Sequence, residues 1–356
     1  MATSFKELES GRDSIVTRNL LHEAIPITGT IVSGTYADGN IKNFSHGMFQ
    51  SVYDYPYLSS SANHIFDLTC GYAADSGLSG AASTQNAKKI NIYNQMAQVL
   101  VGFDENGAVR RFDEDGDLTN GTKIKEAYFF NFTRLLTKDE VKKGSFTLTL
   151  GVNQAFGDTS DAKVIYITDA SGSNEYKVNS PAGEYGILYA SGSDSVVNFK
   201  GYAKCGLLYY QAGVAVISAS VFNNSTPGGL LNQSAILATG LSGSSTTLLT
   251  GSAISGAADA IRHRLVNVSF NNTTELNSTV YFCRVNNTDF NYSSNQTYLS
   301  SSKMVVKTNS QDLPVSYVTA VGLYSPDNEL LAVSKLSEPL KKDPSTEFTL
   351  RVRLDY

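Results

Sequence analysis

The sequence predicts a mainly β fold, of the antiparallel β-sandwich type with a few short helices, and two observations carry that prediction. Apolar and β-branched residues come in short runs of period two, most regularly at Phe146–Leu150 and Phe348–Tyr356, the pattern of a strand with one buried face. The runs are broken by turn chemistry such as Ala37-Asp38-Gly39-Asn40, where Gly supplies positive φ and Asp or Asn tolerates the left-handed region. At 356 residues the chain exceeds one average domain. Two β-rich domains are expected, 1–155 and 266–356, on either side of a middle β region 156–265 with a low-complexity insertion.

Taken in order, Lys88–Phe103 is the first helix, because Ile92, Met96, Val99 and Leu100 fall at helical spacing and Gly102 is placed to end it. Thr137–Gly144 reads as a second, short helix, with Thr137 as N-cap, Glu140 at the capping-box position and lysines before Gly144. Strands follow at Phe146–Leu150, Val164–Thr168, Gly186–Ala190 and Val196–Phe199, and Gly206–Phe222 divides into two strands across Gln211-Ala212-Gly213. Asn223–Ala258 is rich in Ser, Thr, Gly and Leu and reads either as a loop-like insertion or as a segment ordered by partner contacts. Ala257–Leu265 suggests a short helix, and Val266–Phe270 and Thr279–Val285 return to strand patterning. Val315–Tyr324 and Glu329–Leu336 form a hairpin across Ser325-Pro326-Asp327-Asn328, since Pro at the first central position favours a type I reversal. In the closing run Phe348, Leu350, Val352, Leu354 and Tyr356 share one face.

Composition excludes several function classes. The net charge of −5 offers no basic surface from which phosphates could release counterions, so no nucleic-acid partner is expected. Charged residues are only 17%, with 20 Tyr and 17 Phe, which suits a chain that buries part of its surface against neighbours. Cys70, Cys205 and Cys283 lie far apart with no C-x-x-C spacing and read as small buried apolar residues. Met1–Thr30 lacks the basic and apolar regions of a signal peptide, and no run approaches the roughly 18 apolar residues of a membrane helix. Assembly in a cytoplasm without membrane insertion follows, and the Asn-x-Ser/Thr triplets at Asn267, Asn272, Asn277 and Asn291 are read as composition rather than glycan sites.

Residues with catalytic spacing are missing from the pattern. His22, His46, His64 and His263 occupy four separate contexts with no H-E-x-x-H spacing. Gly240-Leu241-Ser242-Gly243 fails the nucleophile-elbow spacing, and no phosphate-binding glycine loop occurs. Asp113-Glu114-Asp115-Gly116-Asp117 resembles the opening of a calcium loop, but the sixth and twelfth positions hold Leu118 and Ile124 in place of Gly and Glu, so an acidic hairpin turn is expected. A sugar-cleaving carboxylate pair needs no sequence pattern, yet the chain has no Trp for the usual sugar platform. No enzyme activity, cofactor or metal is expected.

At the C-terminal end, Tyr317-Val318-Thr319-Ala320-Val321-Gly322-Leu323-Tyr324 and Asn328-Glu329-Leu330-Leu331-Ala332-Val333-Ser334-Lys335-Leu336-Ser337-Glu338-Pro339 resemble a phage tail pattern of T-x-[IV]-G-L-Y, an acidic turn, L-[LI]-A-[VI] and a Pro. Phe44–Pro56 and Gly206–Val214 point the same way, and the whole chain is similar to virion structural proteins of T4-like marine cyanophages. The resemblance implies a contractile-tail component of the virion, in the baseplate or at a tail-fibre attachment, assembled in the host cytoplasm with itself and other phage structural proteins. Gly322 and Tyr324 are the interaction candidates in that string. Tyr281, Tyr292 and Tyr298, in an Asn-rich region, motivate the alternative of a fibre module that binds a host receptor or cell-surface glycan.

Overall fold

The computed structural model describes residues 5–21, 26–29, 38–118, 120–136, 139–152, 164–223, 229–231, 245–262, 264–293, 299–300, 303–304, 311 and 313–356. The fold is mainly β, with large antiparallel sheets and a few short helices, as the period-two runs require. The chain divides into a larger unit, His22–Thr274, and a smaller one made of Met1–Leu21 with Glu275–Tyr356. The strands on either side of residue 155, Thr147–Gly151 and Val164–Thr168, pair with each other in the larger unit.

The sheet of the larger unit begins at the first part of the Leu265–Val285 strand and passes through Thr147–Gly151, Val164–Thr168, Tyr185–Gly192, Ala203–Tyr209 and Val214–Ser218. It then runs through Glu126–Asn131, His64–Tyr72, Gln50–Tyr53 and Ile41–Asn43, every neighbour antiparallel. The sheet curls. Phe132 lies 5.7 Å from both the Phe66 ring and the Phe270 ring, although those residues sit on strands far apart in the sheet order. Phe130 and Phe146 complete this aromatic core. Phe129, pointing the other way along the same strand, joins Tyr93 and Phe112 in a second cluster. Ala127–Phe130 is therefore buried on both faces, and the strand reads as continuous apolar sequence rather than an alternation.

The predicted first helix spans Asn86–Leu100 and ends as expected, Gly102 taking φ +84° while its N–H donates to the Ala97 carbonyl. Its buried face is Lys89, Ile92, Tyr93, Ala97 and Leu100; Met96 is half-buried and Val99 exposed, so the face is rotated slightly from the expected one. Gly71 makes the packing possible, because a Cβ there would stand 2.5 Å from the Lys89 carbonyl oxygen. Lys89 itself is buried and donates to the carbonyls of Leu249 at 2.5 Å and Ser252 at 2.7 Å, closing the end of the Ser245–Gly251 helix.

Several expectations are corrected. Of the Thr137–Gly144 expectation, residues 137–138 lie outside the described residues and 139–144 is not helical: Glu140–Val141 is a short strand paired with Asn272 and Thr273, and the Val141 N–H donates to the Tyr210 carbonyl. Its helix-favouring charges are spent on tertiary contacts, described below, and a segment this short cannot repay helix nucleation by itself. Val196–Phe199 is not a strand, since the amides of Val196 and Val197 turn back to the Ser193 carbonyl. Val266–Phe270 and Thr279–Val285 belong to one strand, Leu265–Val285. Within Asn223–Ala258, residues 224–228 and 232–244 lie outside the described residues. Ser245–Gly251 and Ile254–Arg262 are helices, the second matching the Ala257–Leu265 expectation as far as Arg262, while His263 lies outside the described residues and Leu265 already opens the next strand; Leu248, Leu249, Ile254, Ala257 and Ala258 are buried in the core.

In the smaller unit the second part of Leu265–Val285 pairs with Phe348–Asp355, matching Tyr281 with Val352 and Phe282 with Arg351, and Ser14–Leu21 lines its other side. Phe348, Leu350, Val352 and Leu354 are half-buried and alternate with exposed Thr349, Arg351, Arg353 and Asp355; Tyr356, expected with the first set, is exposed. Ser316–Tyr324 and Leu330–Lys342 form the predicted hairpin as a separate two-stranded sheet. The Asn328 N–H donates to the Ser325 carbonyl and Asn328 takes φ +64°. Asn tolerates the left-handed region better than most residues.

Candidate interaction surface

The hairpin of the smaller unit carries an unusual amount of exposed apolar surface for two paired strands. Cross-strand partners share a face, and the register sets Gly322 against Val333 and Tyr324 against Leu330. Tyr324, Leu330, Leu331 and Val333 are exposed by 47%, 53%, 67% and 54%. Val321, Leu323 and Ala332 are only half-buried. A two-stranded sheet is marginal in water alone, and exposed apolar residues gathered on one make it a candidate interaction site.

The sequence-predicted residues distribute unevenly over this unit. Tyr324 stacks edge-on against Phe5, ring centres 5.3 Å apart, and its ring leans back over Gly322, where a Cβ would lie 2.9 Å from Tyr324 Cε2. Gly322 is thus explained by the ring beside it. Tyr281 is half-buried in its strand opposite Val352, and Tyr292 is 45% exposed; Tyr298 lies outside the described residues. The sequence reading passed over Leu330, Leu331 and Val333, although adjacent leucines in a strand carry a usable signal: alternation forces one of them outward.

Among the described residues of the larger unit are polar clusters that could have been chemical centres, and three of them bear on the sequence reading. Ser51 donates to Asp67 Oδ1 at 2.5 Å and His64 Nε2 lies 2.7 Å from the same oxygen. Both groups are spent on the carboxylate, so the serine hydroxyl is not presented to the imidazole as a nucleophile–base pair requires. Burial pushes the Asp67 carboxyl up, but the hydrogen bonds from His64 and Ser51 and the charges of His64 and Arg134 outweigh it and hold it below its ordinary value.

The Asp113–Asp117 turn is the expected acidic hairpin, with Phe112–Asp113 paired to Lys123–Ile124. Asp113 is fully buried, and its Oδ2 accepts from Lys123 Nζ and from the Leu118 N–H, each at 2.8 Å. One oxygen from each of Asp113, Asp115 and Asp117 falls within 4.8 Å of the others. The arrangement gathers hard oxygen donors, and the Lys123 ammonium pairs with the Asp113 carboxylate among them.

The third cluster explains the corrected helix. Lys143 Nζ bridges Glu184 Oε2 at 2.6 Å and Glu140 Oε1 at 3.1 Å, and it stands over the rings of Tyr176 and Tyr210. Burial pulls the Lys143 ammonium down, and the two glutamates more than reverse it. Asp169 accepts the N–H groups of Gly144 and Phe146 at 2.8 and 2.9 Å, while burial keeps its carboxyl above the ordinary value. These residues clamp the 139–146 segment to the sheet.

No family model matches the chain, and neither a curated protein nor a solved structure matches it significantly.

Proposed function

We propose that this chain is a structural subunit of a contractile phage tail, a baseplate or tail-fibre attachment component whose work is to bind copies of itself and neighbouring subunits. The observation that supports assembly is the hairpin, a separate two-stranded sheet on which Tyr324, Leu330, Leu331 and Val333 expose apolar surface. The same residues lie inside Tyr317–Tyr324 and Asn328–Pro339, the strings that resemble tail proteins. Interfaces concentrate aromatic and aliphatic anchors and deplete charge at their centre, and this face has that composition. The buried polar clusters of the larger unit support it from the other side. Each has a structural use: closing a turn, joining strands or clamping a segment.

Light scattering of the purified chain, followed by cryo-electron microscopy of particles from its source, tests the reading. The expected result is an oligomer in solution and density for the chain in a symmetric tail substructure, with Leu331 and Val333 covered. A monomer absent from every particle would overturn it and favour the receptor- or glycan-binding alternative.

A further inference from the structure

The two edges of the hairpin are built differently. Along Leu330–Lys342 the sequence places Lys335, Glu338, Pro339, Lys341 and Lys342, and lysines and proline are the devices that keep an edge from pairing with another chain. The register also jumps there, from Val318↔Leu340 to Ala320↔Lys335, which sets the extra residues Leu336–Pro339 against the single residue Thr319. The irregularity falls on the protected strand. Ser316–Tyr324 has no charge and no proline over its nine residues. Among the described residues its only strand partner is Leu330–Lys342, so its outer row of backbone groups has no partner strand.

We infer that the Ser316–Tyr324 edge pairs with the same edge of a second copy of this chain, antiparallel about a two-fold axis, joining two hairpins into one four-stranded sheet. A two-fold contact must be self-complementary, since each residue meets its own counterpart set. An uncharged strand satisfies that in every antiparallel register, because no like charges come opposite one another. The other edge would set lysine near lysine and would lose a donor at Pro339. Strand addition supplies the backbone hydrogen bonds. It also places both Tyr324–Val333 apolar faces on the same side of the joined sheet, one towards each end, so that two such surfaces are offered to neighbouring subunits. This inference rests on the assembly reading and specifies its partner.

The test uses the full chain, by sedimentation velocity over a range of concentrations and by amide hydrogen exchange at a low and a high concentration. The expected result is a dimer whose formation protects the Tyr317–Leu323 amides. Thr319→Lys should weaken it at least about tenfold, since a lysine would then sit on each paired edge, and Thr319→Ser should not. Thr319 has no cross-strand partner in the hairpin, so neither variant removes a native pair, and circular dichroism checks that the fold is kept. Equal exchange of Tyr317–Leu323 at both concentrations, or an unchanged dimer in Thr319→Lys, overturns the edge pairing. If Leu331→Glu/Val333→Glu then dissociates the oligomer, the assembly reading survives through the apolar face. A chain that stays monomeric overturns the self-pairing, and the tail assignment is then decided separately by tracing the chain in particles.

Discussion

Single residues in the larger unit show how closely charge is matched to position. Asp113 is fully buried and its ammonium partner, Lys123, is one-quarter exposed, so removing one member leaves an uncompensated buried charge. Lys123→Met is expected to cost about 3–5 kcal/mol in urea unfolding, and the double variant Asp113→Asn/Lys123→Met less than the single one. Asp67 behaves differently because its folded value lies below its ordinary one. The unfolded chain then binds more protons in the window between the two values, so Asp67 contributes stability above the ordinary carboxylate value, and that contribution is lost as pH falls through the folded value. The stability gap between wild type and Asp67→Asn should hold near neutral pH and shrink below about pH 4; a gap independent of pH would show that the Ser51 and His64 hydrogen bonds do not bias the carboxylate. Cys70 and Cys205 were legible from sequence as buried small residues, and the structure buries both fully, with the Cys70 thiol pushed up to about 12 by its apolar surroundings.

At the scale of elements, the sequence was most readable where the period of the pattern and the local chemistry agreed. Asn86–Leu100 and the Ser316–Lys342 hairpin carry both a repeating face and their own terminators, Gly102 and Asn328. The failure at Thr137–Gly144 has a physical cause: Glu140 and Lys143, which suit a helix, equally suit a tertiary ion cluster, and Glu184, Tyr176 and Tyr210 that complete it are distant in sequence. The Ser245–Gly251 helix was hidden by low charge, since a helix buried against a core needs no polar face to mark its period. The contact between the first helix and the His64–Tyr72 strand depends on Gly71. Gly71→Ala would press a methyl group onto the Lys89 carbonyl, a backbone atom that cannot swing away, and is expected to lower stability by about 1–3 kcal/mol. An unchanged unfolding midpoint would mean the helix slides on its strand.

For the molecule as a whole, the two units differ in what holds them together. The continuous buried core runs from Ile41 to Phe270, all within the larger unit. In the smaller unit Val280 and Val285 are the buried large apolar residues among those described, while Phe5, Ile15, Val16 and the hairpin residues Tyr324, Leu330, Leu331 and Val333 are exposed. That unit is assembled from both ends of the chain, which is why a linear reading of composition placed boundaries at 155 and 265. Its strands follow the predicted pattern, yet their apolar faces remain half-covered within one chain. With so little apolar area buried among its described residues, the unit has little to set against its conformational entropy. Thermal unfolding of the full chain should therefore show two transitions, the lower one belonging to Met1–Leu21 with Glu275–Tyr356. A partner that binds only the folded form adds stability in proportion to the logarithm of its concentration, so the lower midpoint should rise with protein concentration while the upper one stays fixed. The fragment His22–Thr274, which keeps the entire continuous core, should retain the upper transition alone. A single transition that ignores concentration would mean that the smaller unit draws its stability from within the chain, and the exposed hairpin would lose its claim as an assembly surface.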